Sequence, residues 1–66
     1  MQISLKSARV NAELTQREAS KAIGVDITTI CSWEKGRTSP KISQLKKLCN
    51  VYNVAIDDIF LKEKST

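Results

Sequence analysis

The stretch from Thr15 to Lys35 constrains this chain most. Thr15-Gln16-Arg17-Glu18 has the spacing of a capping box. The Thr15 hydroxyl is placed to accept the Glu18 amide, and the Glu18 carboxylate to accept the Thr15 amide in return. That starts a helix over about residues 15–23. Gly24 stands where a left-handed residue is expected after a helix. Asp26 suits the N-cap of a second helix over about 26–35, ended by Gly36. Only Gly24-Val25-Asp26 separates the two. So short a connection forces the helices to cross steeply and closely, which needs small side chains at the contact. Ala19, Ser20 and Ala22 supply them.

The rest of the chain is also helical in period. Leu5, Ala8, Arg9 and Ala12 mark a first helix over about 3–12. Ile30 and Trp33, three apart, face inward from the third. Pro40 precedes a fourth helix over about 41–52, with Ile42, Leu45, Leu48, Cys49 and Tyr52 on one face. A short fifth, about 55–61, is expected to bury Ile56, Ile59 and Phe60, with Asp57 and Asp58 in its first turn, where negative charge suits the helix dipole. Strand signals are nearly absent. The expectation is an all-α, compact five-helix bundle forming one domain over residues 1–61, with a frayed tail at 62–66. In 66 residues the core is small but sufficient for independent folding.

Composition narrows the function classes. No apolar run is long enough to span a membrane. The N-terminus lacks the basic and apolar regions of a secretory signal, which points to the cytoplasm. With two cysteines and no histidine, neither a tetrahedral metal site nor a histidine base is available. Spacing leaves a Cys31–Cys49 disulfide open, but reduced thiols are the cytoplasmic default. Cys49 reads as a small core hydrophobe. No Gly-rich phosphate cradle or activated nucleophile is visible, and adjacent Asp57 and Asp58 point apart on a helix. The sequence therefore offers no catalytic residue and implies no cofactor. A net charge of +4 favours an acidic partner such as nucleic acid. That signal is weak, because lysines also serve solubility, and Lys21, Lys46, Lys47, Lys62 and Lys64 are read that way.

Leu14-Thr15-Gln16-Arg17-Glu18, Ile23-Gly24-Val25-Asp26 and Ile30-Cys31-Ser32-Trp33-Glu34-Lys35-Gly36-Arg37 resemble the phage repressor and Cro-like (Xre) family of helix-turn-helix proteins. Pro40, Leu45, Leu48, Val54, Ile56, Asp57, Ile59 and Phe60 continue the pattern. The resemblance covers about residues 5–61. It implies a lambda-repressor-like five-helix domain whose third helix enters the major groove of double-stranded DNA, usually as a homodimer on a near-palindromic operator. The implied function is transcription regulation, as a repressor in the cytoplasm of a bacterium or phage-infected host, at the nucleoid. The alternative is an antitoxin-like or other protein-interaction module on the same fold, with a regulatory protein partner.

With Ile30 and Trp33 inward, Ile27, Thr28, Cys31 and Ser32 lie on or near the opposite face of the third helix and are the candidates for base readout. Thr28 and Ser32 can hydrogen-bond to base edges, and Ile27 can pack against a thymine methyl. Ile27 reads equally well as a core residue three before Ile30. Cys31 is read as a neighbour of the bases, with a redox-sensing thiol as the alternative. Candidate phosphate contacts are Gln16, Arg17, Thr29, Lys35, Arg37, Thr38 and Lys41. Such contacts fix position and add affinity without choosing sequence. The family often pairs the glutamine at Gln16 with a polar residue at the position of Ile27. With Ile27 there, Gln16 is left as a phosphate contact at a helix N-terminus. The resemblance also implies an architectural ion pair between Arg9 and Glu34. Two departures stand out: Glu13 replaces the glycine or asparagine that often closes the first helix, and Ala19 the usual leucine.

Overall fold

The computed structural model describes residues 2–61; the tail expected to fray, 62–66, lies outside them. The chain opens with a two-residue strand, β1 (Ile3–Ser4), and then α1 (Leu5–Asn11). Ser4 makes the switch: its Oγ accepts the Ser7 amide at 3.1 Å and so caps the helix. The far end of α1 is closed by Glu13 at φ +60°. There the Glu13 amide donates to the Val10 carbonyl at 2.9 Å, and the Leu14 amide to that of Arg9 at 3.2 Å.

α2 (Gln16–Ile23) begins at the capping box. Thr15 Oγ1 accepts the Glu18 amide at 3.1 Å, and Glu18 Oε1 accepts the Thr15 amide at 2.9 Å. Gly24, at φ +76°, turns the chain out of α2. The Ser20 carbonyl receives both the Gly24 and Val25 amides, at 2.9 and 3.0 Å. α3 (Ile27–Lys35) then starts at Asp26, whose carbonyl accepts the Thr29 and Ile30 amides at 3.0 and 3.3 Å. The Asp26 carboxylate makes no cap bond; it accepts the Thr28 hydroxyl at 2.9 Å. Gly36 ends α3 at φ +79°, and the Arg37 amide reaches back to the Ser32 carbonyl at 3.0 Å. α4 (Ile42–Tyr52) follows Pro40 and Lys41. The Lys41 amide is satisfied by Gln44 Oε1 at 2.9 Å.

The fifth helix does not form, so the described residues make four α-helices. Ile56–Asp58 make one 3₁₀ turn, and Ile59–Phe60 become a strand, β2. β2 pairs in parallel with β1, Ile3 opposite Ile59 and Ser4 opposite Phe60. Seven residues with two β-branched isoleucines and two aspartates make a poor isolated helix. Pairing with the N-terminal strand gives their backbone groups partners instead. The ribbon also changes what is buried. Ile59 is buried and Ile56 partly so, but Phe60 is 52% exposed.

The core gathers Leu5, Ala8, Ala19, Ile30, Trp33, Leu45, Leu48, Cys49, Tyr52 and Ile59. Two further residues expected to face inward do not. Ala22 and Ile42 are exposed, each at an edge of its helix's apolar stripe. No helix among the described residues is long and apolar enough to cross a membrane.

Candidate nucleic-acid interface

α2 and α3 pack on each other; on α2, Ala19 is fully buried, and Ser20 is buried with its hydroxyl donating to the Arg17 carbonyl of the same helix at 2.7 Å. On α3, Ile30 and Trp33 are buried in the core. Those two anchors fix the helix's rotation and so decide which residues it presents outward.

A charged lock holds the C-terminal half of α3. Arg9 Nε lies 2.7 Å from Glu34 Oε2, and its Nη2 lies 3.3 Å from Oε1. The remaining guanidinium nitrogen, Nη1, donates to the Leu14 carbonyl at 2.8 Å. The Gln16 side-chain amide completes the group, donating to Glu34 Oε1 at 3.0 Å. The side chains of Arg9 and Glu34 are only 11% and 5% exposed. The hydrogen bond to Glu34 raises the Arg9 pKa against the opposing effect of burial, so the guanidinium stays charged. α1, the start of α2 and the end of α3 are thus tied at one carboxylate. Tyr52 of α4 is buried beside this group. Burial first, then the Glu34 charge, pushes its hydroxyl up to about 12.

Thr28, Arg17, Lys35, Arg37, Thr38 and Lys41 are exposed, while Gln16, Ile27, Thr29, Cys31 and Ser32 are half-buried. Ile27 lies outside the core cluster. It lines an open depression with Arg9, Leu14, Thr15, Gln16 and Arg17. Thr28 donates its hydroxyl proton to Asp26 Oδ2, leaving its oxygen as an acceptor. Cys31 opens on a second depression, shared with Lys6, Gln16, Glu34 and Lys35. Both thiols are free, and burial pushes that of Cys49 up. Among the described residues, no three His, Cys, Asp or Glu side chains gather where they could hold a metal ion.

Two features of this surface are not visible in the order of the residues. One is the Gln16–Glu34 bond, between residues 18 apart on different helices. The other is Lys6, which the fold brings from α1 to the flank of α3. Neither leaves a signal of spacing, because the first depends on how α2 packs against α3 and the second on how α1 lies across that pair.

The helix-turn-helix family model matches residues 5–59, from the start of α1 to the second strand. The chain belongs to the repressor and Cro-like (Xre) helix-turn-helix family. A helix-turn-helix transcriptional regulator of Archaeoglobus fulgidus is 36% identical over 61 residues, which is 92% of this chain and 86% of that protein. A similar regulator of Methanocaldococcus jannaschii is 36% identical over 63 residues, 96% of each chain. The transcriptional repressor RstR of the cryptic phage CTXphi, in Vibrio cholerae, is 36% identical over 55 residues. That match takes in 83% of this chain but spans half of RstR. No solved structure matches the chain. As a helix-turn-helix protein, the chain has α2 and α3 as the two helices of the motif, with Gly24 and Val25 in the turn between them.

Proposed function

We propose that the chain is a sequence-specific DNA-binding transcriptional regulator, a repressor rather than an enzyme, that places α3 in the major groove. One observation carries the reading. Ile30, Trp33 and the Glu34 lock hold one side of α3 in the protein, and Ile27, Thr28, Cys31 and Ser32 are left outside the core. Arg17 shares a depression with Ile27 and Lys35 one with Cys31, Arg37 and Lys41 follow α3 in the chain, and all four cations are exposed. This is the division expected of a DNA reader, with cations for phosphates around short side chains for base edges. With its proton given to Asp26, Thr28 faces the groove as an acceptor, suited to the amino group of adenine or cytosine. The family, and a relative in Vibrio cholerae that is a transcriptional repressor, support repression.

The reading includes a homodimer on a near-palindromic operator. Phe60, Leu61, Ile59 and Gln2 line an open depression of about 510 Å³ beside the β-ribbon. A second copy covering it would remove the exposed Phe60 ring from water. Two copies of α3 then have to stand about 34 Å apart, one turn of the duplex.

Selection of binding sites from a random duplex library at two salt concentrations tests the proposal. The expected result is an enriched inverted repeat whose half-site spacing reports the dimer. Salt-sensitive binding with no enriched motif would reduce the protein to a nonspecific binder. Absence of binding would shift the assignment to a protein-interaction module.

A further inference from the structure

Lys6, in the first turn of α1, and Lys35, in the last turn of α3, border one depression of about 190 Å³ together with Gln16, Cys31 and Glu34. Both lysines are exposed. The one acid in the depression is already spent. Glu34 Oε2 is held by Arg9 Nε at 2.7 Å, and Oε1 by Gln16 Nε2 at 3.0 Å and Arg9 Nη2 at 3.3 Å. The Arg9 charge cancels that of Glu34 inside the protein, so the net charge facing the depression is that of two ammonium groups. Were Glu34 unpaired, it would repel any anion placed there.

The position matters as much as the charge. Cys31 and Lys35 sit on α3 one turn apart, at the border between the outward face and the protein. A strand lying along that border passes the depression. A lysine is suited to such a place, because its ammonium acts as a mobile point charge that needs no fixed geometry.

We propose that Lys6 neutralises a backbone phosphate of the bound duplex at this depression, beside the one held by Lys35, so that α1 is part of the DNA interface. This rests on the DNA-binding reading above. Lys6 adds affinity on any sequence and takes no part in base choice.

The test measures binding to a duplex selected by the wild-type chain and to an unrelated duplex, across a salt series. The proteins compared are wild type, Lys6→Gln, Lys6→Arg and, as a control on α4, Lys46→Gln. Loss of one phosphate contact shallows the slope of log affinity against log salt by about 0.9. Over a fourfold rise in salt, the advantage of wild type over Lys6→Gln then shrinks roughly 3.5-fold. The ratio of selected to unrelated binding should stay unchanged, Lys6→Arg should keep the wild-type slope, and so should Lys46→Gln. Equal slopes for wild type and Lys6→Gln, or the same loss in Lys46→Gln, would overturn the Lys6 contact while leaving the DNA reading in place. A wild-type chain that binds neither duplex would overturn both.

Discussion

Arg9 in α1 and Glu34 in α3 stand 25 residues apart in the chain and meet at 2.7 Å with little water around them. Each is the other's main source of compensation for leaving solvent. Gln16 and the Leu14 carbonyl add hydrogen bonds but no charge. Arg9→Met leaves a carboxylate without its cation, and Glu34→Met strands a guanidinium. Each single change should cost about 3 kcal/mol or more. A domain this size has only about 3–10 kcal/mol in hand, so each variant should give up about a third of its stability or more. The double variant should lose less than either single one. Urea unfolding followed by the single tryptophan, Trp33, measures all three; losses that simply add would contradict the coupling.

Glu13 holds φ +60° with an exposed side chain, a conformation costly for a residue with a Cβ. Glu13→Gly relieves about 1–2 kcal/mol of strain and returns part of it as unfolded-state entropy. A net gain of about 0.5 kcal/mol or more is expected, raising the melting temperature by a few degrees. Gly24→Ala runs the other way. No heavy atom lies within 4 Å of where its Cβ would stand, so the cost is that of φ +76° alone. It should be about 1–2 kcal/mol. Thermal melts of the two variants should therefore move in opposite directions; a shared sign would refute the account.

Tyr52 supplies a pH limit. Its hydroxyl ionises at about 12 in the folded chain against 10 when free, chiefly because burial disfavours the anion. Between those values the unfolded chain gives up a proton that the folded one keeps, so stability falls as pH rises. The contribution is complete below pH 10 and shrinks by up to about 2 kcal/mol as pH approaches 12. Since Tyr52 is the only tyrosine, its phenolate absorbance reports the step directly. Tyr52→Phe should flatten the loss over this range, and an unaltered alkaline profile would point to another group.

The two classes of contact on the α3 side should separate in binding. Thr28→Ala with Ser32→Ala should narrow the gap between a selected site and bulk DNA, by about 1–3 kcal/mol if one good base contact is lost. The salt slope should hold. Arg37→Ala should weaken every duplex alike and shallow the slope by about 0.9. Equal losses on specific and nonspecific DNA in the Thr28/Ser32 pair would remove those residues from base readout.

What could be read along the chain was local. The Thr15–Glu18 capping box, the left-handed glycines at 24 and 36 and the helical period through α4 each depend on residues within a few positions of one another. Backbone geometry and hydrogen bonding at that range leave few choices, so four helices and the tight α2–α3 connection were legible from sequence. The segment from Ala55 to Leu61 was not. Its period suits a helix, but its backbone found partners in Ile3 and Ser4, more than fifty residues away, and long-range pairing of so short a strand leaves no local pattern. The outward set on α3 followed from Ile30 and Trp33 facing inward, yet the place of Ile27 depended on how α2 lies against α3. The Arg9–Glu34 pair was implied by the family resemblance, but the arrival of Gln16 at the same carboxylate, and of Lys6 beside Lys35, was decided by tertiary structure alone. Those groups come from three helices, and only the packing of the core fixes the distances between them.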